Sequence, residues 1–573
     1  MKLVRFSLII AFSGLVLAGC NREEAAIAEA AAGNPLLAHV PAGTPYLYAN
    51  LEPTPADVID AFMARAEPSL EVMQTLLDDF EFEVKQEGDD MAGARLASAI
   101  YNELDGKLNR AGLESLGLDL ESHVVMYGMG PFPVMRVTLA DAQALRDSIG
   151  RIETAAGQSF TEQILENVPY WRISKADSPM SAIVSIMDDQ LVAGLVPTIY
   201  EAEWLPQLLG LQMPAESTAA ADLVQLNRDK GYSAYGSGFI NLVGLAEEVL
   251  DETSTTAGLL QSLGHSPQTT LDDVCKAEFR SIVAKMPRLV AGTTELSADV
   301  IGISYQLEIE NSLAEKLTGL VADVPVADRD PGKVMTVAVG LKVGALKAFL
   351  TEQASAIVDS PYQCAHLQNA NQQARTAFAQ LSQPVPFPFI NNLKGFRASL
   401  DEIDYENFQP ENVRGLFALE VEKPQMLIGM AQMFIPGMEE LDLQSGSDPV
   451  ALPQELLTFA SGGMKIYAAM GNDSVGLSMG DSSQAELAEF MDESGDNNGV
   501  FFSMEYDMAA QMAMQEHFEQ TLGNIDPSDP EYQEYRALQE KLEASYKAWL
   551  GRSRVEVSFQ DDGMRMDTTM TFK

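Results

Sequence analysis

Six times in this chain an alternating run of residues gives way, within a few positions, to a helical pattern. The first is Tyr46 to Leu51, followed by Thr54, Pro55 and the apolar stripe Val58, Ile59, Phe62, Met63 and Ala66. The second is Val134 to Leu139, where Asp141 opens a helix through Leu145 and Ile149. The third runs from Tyr232 to Leu242, then Leu245, Val249 and Leu250. The fourth is Val334 to Leu341, then Leu346, Phe349 and Leu350. Leu416 to Val421 leads into Pro424, Leu427, Ile428 and Ala431, and Val500 to Tyr506 leads into Met508 to Phe518. The starts are spaced by roughly 80 to 100 residues, the signature of repeated supersecondary units.

Hairpins fall between these junctions. Ile183–Met187 and Leu191–Leu195 flank Asp188-Asp189, and Lys465–Met470 and Val475–Met479 flank Gly471 to Ser474. Val555–Phe559 and Met564–Met570 flank Asp561-Asp562-Gly563, and the Asx and Gly residues of such loops supply tight turn conformations. In one run Ile301, Ile303, Tyr305, Leu307 and Ile309 alternate with Gly302, Ser304, Gln306 and Glu308, which predicts an apolar buried face and a polar wet one. The pattern predicts an α+β protein of antiparallel sheets packed with helices, built from repeated strand–helix–strand–strand units.

The composition, 46% hydrophobic and 21% charged, is that of a folded chain. Pro325–Pro331 (PVADRDP) and Pro384–Pro388 (PVPFP) read as linkers, and the first separates an N-terminal region, 39–325, from a C-terminal region, 332–573.

The amino terminus carries a different signal. Lys2 and Arg5 precede an apolar run from Phe6 to Leu17, which ends in Leu17-Ala18-Gly19-Cys20. This tetrapeptide resembles the lipobox of bacterial lipoproteins. The resemblance implies a signal peptide over residues 1–19, cleavage before Cys20 and acylation of Cys20. It also implies a lipidated tether over residues 20–38. The apolar run is too short to span a bilayer, whereas two or more acyl chains hold a protein stably to one. Asn21 follows the cysteine. In the lipoprotein family an aspartate there retains the protein in the inner membrane, so its absence implies an outer-membrane anchor with the body facing the periplasm.

Export also bears on Cys275 and Cys364, the two cysteines left after Cys20. An oxidising compartment favours a disulfide between them. Two buried thiols and two reactive thiols are the alternatives, although neither cysteine sits in a CxxC motif.

Loss of Lys2 and Arg5 leaves 35 basic against 83 acidic residues, a net charge of −48. That charge excludes bulk attraction to nucleic acid or anionic lipid. No SxxK, GxxxxGK or GxGxxG occurs, and the one GxSxG match, Gly476 to Gly480, falls within a hairpin strand rather than at a strand-to-helix turn. Gly264-His265-Ser266 reads as a polar loop. Asp492 to Asn498 lacks the glycine and glutamate of a calcium loop, with Asn497 and Ser503 in their places. Met426, Met430 and Met433 share one predicted helix, and Met508, Met512 and Met514 another. Such stripes read first as core, then as an adaptable apolar surface, and last as a Cu(I) site. No cofactor and no metal site is expected. The reading is of a non-enzymatic envelope binding or scaffold protein anchored through Cys20. A carrier of lipid or another apolar ligand is second, and a hydrolase third.

Overall fold

The computed structural model describes residues 29, 32–68, 92–157, 160–174, 178–187, 189–264, 271–327, 330, 332–384, 388–402, 413–453, 465–480, 484–493, 497–513, 540–541 and 543–573. The fold is α+β, and its sheet pairings are antiparallel. The chain divides into two units. The N-terminal unit is Met1–Thr270 with Arg288–Ile303, and the C-terminal unit is Leu271–Pro287 with Ser304–Lys573.

The strands are β1 (Tyr46–Ala49), β2 (Val124–Met129), β3 (Phe132–Thr138), β4 (Glu162–Leu165), β5 (Val168–Ile173), β6 (Met180–Ile186), β7 (Gln190–Pro197), β8 (Ser237–Asn241) and β9 (Arg288–Leu296). They continue as β10 (Val300–Glu308), β11 (Met335–Gly340), β12 (Leu393–Glu402), β13 (Arg414–Val421), β14 (Val450–Ala451), β15 (Ile466–Met470), β16 (Ser474–Met479), β17 (Val500–Asp507), β18 (Leu550–Gln560) and β19 (Gly563–Phe572).

In the N-terminal unit the pairings give the order β4-β5-β6-β7-β3-β2-β1-β8-β9. In the C-terminal unit they give β14-β15-β16-β13-β12-β11-β17-β18-β19-β10. The two orders follow one recipe. A strand that leads into a helix (β1 or β11) lies between the next strand in sequence (β2 or β12) and one that arrives much later (β8 or β17). A hairpin (β6–β7 or β15–β16) pairs onto the strand after next, β3 or β13. A helix follows that hairpin in each unit, Glu201–Leu208 in one and Leu487–Asp492 in the other.

The six strand-to-helix junctions therefore fall as two sets of three, at β1, β3 and β8 and at β11, β13 and β17. They do not form six equal units. Local chemistry sets several of them. Val58 and Ile59 donate to the Pro55 carbonyl, and Asp141 accepts from Gln143 and Ala144. The helix that Asp141 opens ends on Gly157 at φ +64°, a left-handed cap that suits glycine. Asn241 caps the helix Leu242–Leu250 by accepting from Gly244, and Asp507 accepts from Ala510.

Three expectations are corrected. The body does not begin at His39: Asn34, Leu36 and Leu37 are already buried, because Leu36 and Leu37 join the core of the N-terminal unit. The boundary is not the segment 325–331, since the division falls inside β10. Ala327 of that segment donates to Ser503 Oγ at 2.6 Å, and its carbonyl accepts from Arg554 at 2.9 Å, so Ala327 is held to strands β17 and β18. The faces of β10 are also reversed. Gly302, Ser304 and Gln306 are its buried residues, while Tyr305 is exposed. Small and polar residues here form the covered row.

Cys275 and Cys364 form a disulfide, with an S–S distance of 2.05 Å. Beside it the Glu278 carboxylate accepts from the backbone of Gln363 at 2.7 Å and of Cys364 at 3.0 Å. Covalent and polar links together fix the helix Asp273–Val283 to the segment that precedes the helix Gln368–Leu381.

Candidate functional site

Alternation gives each strand of the N-terminal sheet one residue per face in turn. One face is closed. Leu47, Tyr127 and Val134 are at most 2% exposed, under Leu36, Leu37 and Val40 of the leading turn and Trp204, Leu205 and Leu208 of the helix Glu201–Leu208.

The register builds the opposite face. Tyr48 lies opposite Gly238 on one side and Met126 on the other. Met126 faces Met135, Met135 faces Ala193, and Val184 links Ala193 to Trp171. Leu195, Ala182 and Ile173 form a neighbouring row. Val124, Val137 and Leu191 form another. At the outer end of the central row stands a charge, Glu162 opposite Trp171.

This second face is open. Tyr48 is 43% exposed, Met126 42% and Met135 40%, although all three lie on interior strands of the sheet. Ile240, Leu195 and Ile173 are exposed as well. Glycine shapes one end. Gly236 has φ +155°, and a Cβ there would come within 2.5 Å of the Tyr48 hydroxyl, so the phenol rests on bare backbone. Large adaptable side chains are thus flanked by Gly238 and Ala193, and strands β2, β6 and β7 carry no charge. Such a surface can bind an apolar chain by burial and dispersion, with methionine adjusting to its shape.

The closed face holds the polar groups. Arg136 is fully buried on β3. Its guanidinium donates to Gln190 at 2.9 Å, to the Leu208 carbonyl at 2.7 Å and to the Gln207 carbonyl at 3.3 Å. It neutralises the negative end of the helix Glu201–Leu208. Burial, reinforced by the charge of Arg136 and opposed by Asp189, lowers the pKa of His39 to about 4. His39 is therefore neutral in the folded state at pH 7. Between about pH 6.5 and 4 the unfolded chain binds the extra proton, so stability rises with pH through that window and is lost as pH falls. Wild-type protein is expected to lose on the order of 1–3 kcal/mol through this group between pH 7 and pH 4. His39→Gln removes that component, as urea denaturation at the two pH values would measure.

The C-terminal unit has a cavity of about 220 Å³ with mixed polar and apolar walls. Lys333, Arg397, Ser399, Glu486, Glu489 and Glu493 are among its walls. Both cations are already engaged. Lys333 pairs with Asp401 at 2.8 Å, and that carboxylate raises the lysine pKa against the lowering effect of burial. Arg397 pairs with Glu420 at 3.1 Å and Glu493 at 2.5 Å, donates to the Phe490 carbonyl at 2.6 Å and lies 4.7 Å from the Phe490 ring centre. The cluster acts as a clasp on the helix Leu487–Asp492. Arg397→Ala leaves the largely buried Glu420 without its guanidinium partner and is expected to destabilise the C-terminal unit by about 2–4 kcal/mol, measured by denaturant midpoints. Arg397→Met, which keeps the packing over Phe490, costs less.

Among the described residues, the sites expected from sequence come together only at the disulfide. Cys20 lies outside the described residues, as do His265, Ser266 and Met514. Ser494 to Asp496 of the acidic loop lie outside them too. Met426 and Met433 are 42% and 72% exposed, so the stripe on the helix Pro424–Phe434 is not core; Pro424 and Ile428 are the buried residues there. Among the described residues no cluster of His, Cys, Asp and Glu is placed to hold a metal ion, and no helix is long and apolar enough to cross a membrane.

The open face was not singled out from sequence, yet a signal for it exists. β2 (VVMYGM), β6 (MSAIVSI) and β7 (QLVAGLVP) carry no charge at either parity, whereas a strand with one wet face normally does. No family model matches the chain, and no curated protein or solved structure matches it either.

Proposed function

We propose that this protein is a periplasm-facing lipoprotein, held at the outer membrane by acyl chains on Cys20, and that it binds an apolar, chain-like ligand without chemically altering it. The observation that carries the reading is the open row Tyr48, Met126 and Met135 in the middle of the N-terminal sheet. The lipobox Leu17 to Cys20 supports the anchor. Between a scaffold and a carrier, the open face favours the carrier. This face is uncharged across its central strands, so an apolar chain laid there leaves no charge unpaired.

Native mass spectrometry of the protein purified from its own envelope tests this reading. The expected result is a bound mass, beyond the covalent acyl groups, that organic extraction removes. A chain that is consistently free of extractable ligand, and that takes up no fatty acid when offered it, contradicts the proposal.

A further inference from the structure

We propose that the cavity of the C-terminal unit is a binding site for a small aliphatic diamine, independent of the open face of the N-terminal sheet.

The fold does not require this cavity, because the N-terminal unit fills the matching position. Under the covering helix runs the row Gly194, Val134, Tyr127 and Leu47 in the N-terminal unit, and the row Gly476, Ala418, Arg397 and Ala338 in the C-terminal unit. The glycines mark where each helix lies. A Cβ on Gly194 would meet Leu208, and one on Gly476 would meet Leu487 and Met491. Two residues along the same face, the N-terminal unit places Met129, Phe132 and Val196. All three pack into its core, and the Phe132 ring centre lies 5.8 Å from that of Trp204. The matching residues of the C-terminal unit are Ser399, Leu416 and Ser478, continued on β11 by Thr336. This row is largely hydroxylic, and Thr336, Ser399 and Leu416 of it line the cavity. One unit packs the position with apolar side chains. The other keeps about 220 Å³ open against buried hydroxyls.

The wall chemistry selects a cation. Asp330, Glu486, Glu489 and Glu493 line the cavity, while Lys333 and Arg397, its two cations, are already matched by Asp401 and Glu420. The wall is therefore net negative, and a cavity lined by one sign of charge concentrates the opposite one. Ser399 donates to Asp401 at 3.2 Å, which leaves its oxygen lone pairs to accept from an ammonium group. Leu416 and Phe490 supply apolar surface for methylene groups. Glu486 and Glu493 flank the helix Leu487–Asp492 about 10 Å apart along its axis, with Glu489 between them. A four-carbon diamine, whose ammonium groups lie about 6 Å apart, would bring one to each end within hydrogen-bond reach.

Isothermal titration calorimetry with 1,4-diaminobutane tests this on the mature chain, in the Cys20→Ala form made behind a conventional cleavable leader. The expected result is saturable binding of one molecule per chain at low ionic strength, and no binding of glutarate, a dianion of similar length. Ser399→Met installs the residue found at the matching N-terminal position, and by filling the cavity it is expected to weaken diamine binding about tenfold or more. Glu489 is exposed and takes part in neither clasp, so Glu489→Gln is expected to weaken binding about fivefold with an unchanged denaturant midpoint. Should Ser399→Met fail to fold, Glu489→Gln decides alone. Absence of saturable binding, equal affinity for glutarate, or diamine affinity that Glu489→Gln or a folded Ser399→Met leaves unchanged overturns the inference.

Discussion

Replacing Met126 and Met135 together by glutamate is expected to weaken fatty-acid binding by about a hundredfold or more, with little loss of fold stability. The two side chains face each other across β2 and β3 and stand 42% and 40% exposed. In the unliganded protein the new carboxylates stay in water, and the substitution costs little. In the complex an acyl chain would strip that water away, and an unpaired buried carboxylate costs several kcal/mol. Leu47→Glu is the control on the same sheet. It points into the closed face at 2% exposure, and it is expected to unfold the N-terminal unit rather than spare it. Titration with cis-parinaric acid on the Cys20→Ala background, alongside urea denaturation, separates the two outcomes.

The second large effect concerns the disulfide. Cys275 and Cys364 are 89 residues apart in sequence, and closing a loop of that length removes about 4–5 kcal/mol worth of unfolded-state freedom. Cys275→Ala with Cys364→Ala is therefore expected to destabilise the C-terminal unit by about 3–5 kcal/mol and lower its unfolding temperature by about 10 °C. Both cysteines are nearly inaccessible, at 2% and 1% exposure, so reductant is expected to act only under partly unfolding conditions. The Glu278 contacts to Gln363 and Cys364 remain in the variant and moderate the loss. Differential scanning calorimetry with and without reductant measures this, and identical traces would contradict it.

Local signals carried much of the fold. Asp141 and Pro424 mark helix starts because capping and proline chemistry act over a few residues, and the structure starts helices at those places. Hairpins such as β15–β16 were legible for the same reason. What alternation does not contain is the identity of the covered face. In β10 the period of two is present, but Gly302, Ser304 and Gln306 take the covered side. Nor does it contain the long-range pairings. β1 meets β8 across some 190 residues, and only that pairing makes the two units follow one recipe. The open face was hidden in the same way. Only the register places Tyr48, Met126 and Met135 side by side. The segment 325–331 resembled a linker because Pro, Asp and Arg dominate it, yet hydrogen bonds to Ser503 and Arg554 hold Ala327 to a sheet.

The central claim, that the open face of the N-terminal sheet binds an apolar chain, is tested most directly by photo-crosslinking. A fatty acid carrying a diazirine near its methyl end, irradiated with the Cys20→Ala protein, is expected to label peptides containing Tyr48, Met126 or Met135. Excess unlabelled fatty acid should abolish the labelling. Labelling confined to other surfaces, such as the exposed end of the helix Pro424–Phe434, or labelling that competitor leaves unchanged, would contradict the claim.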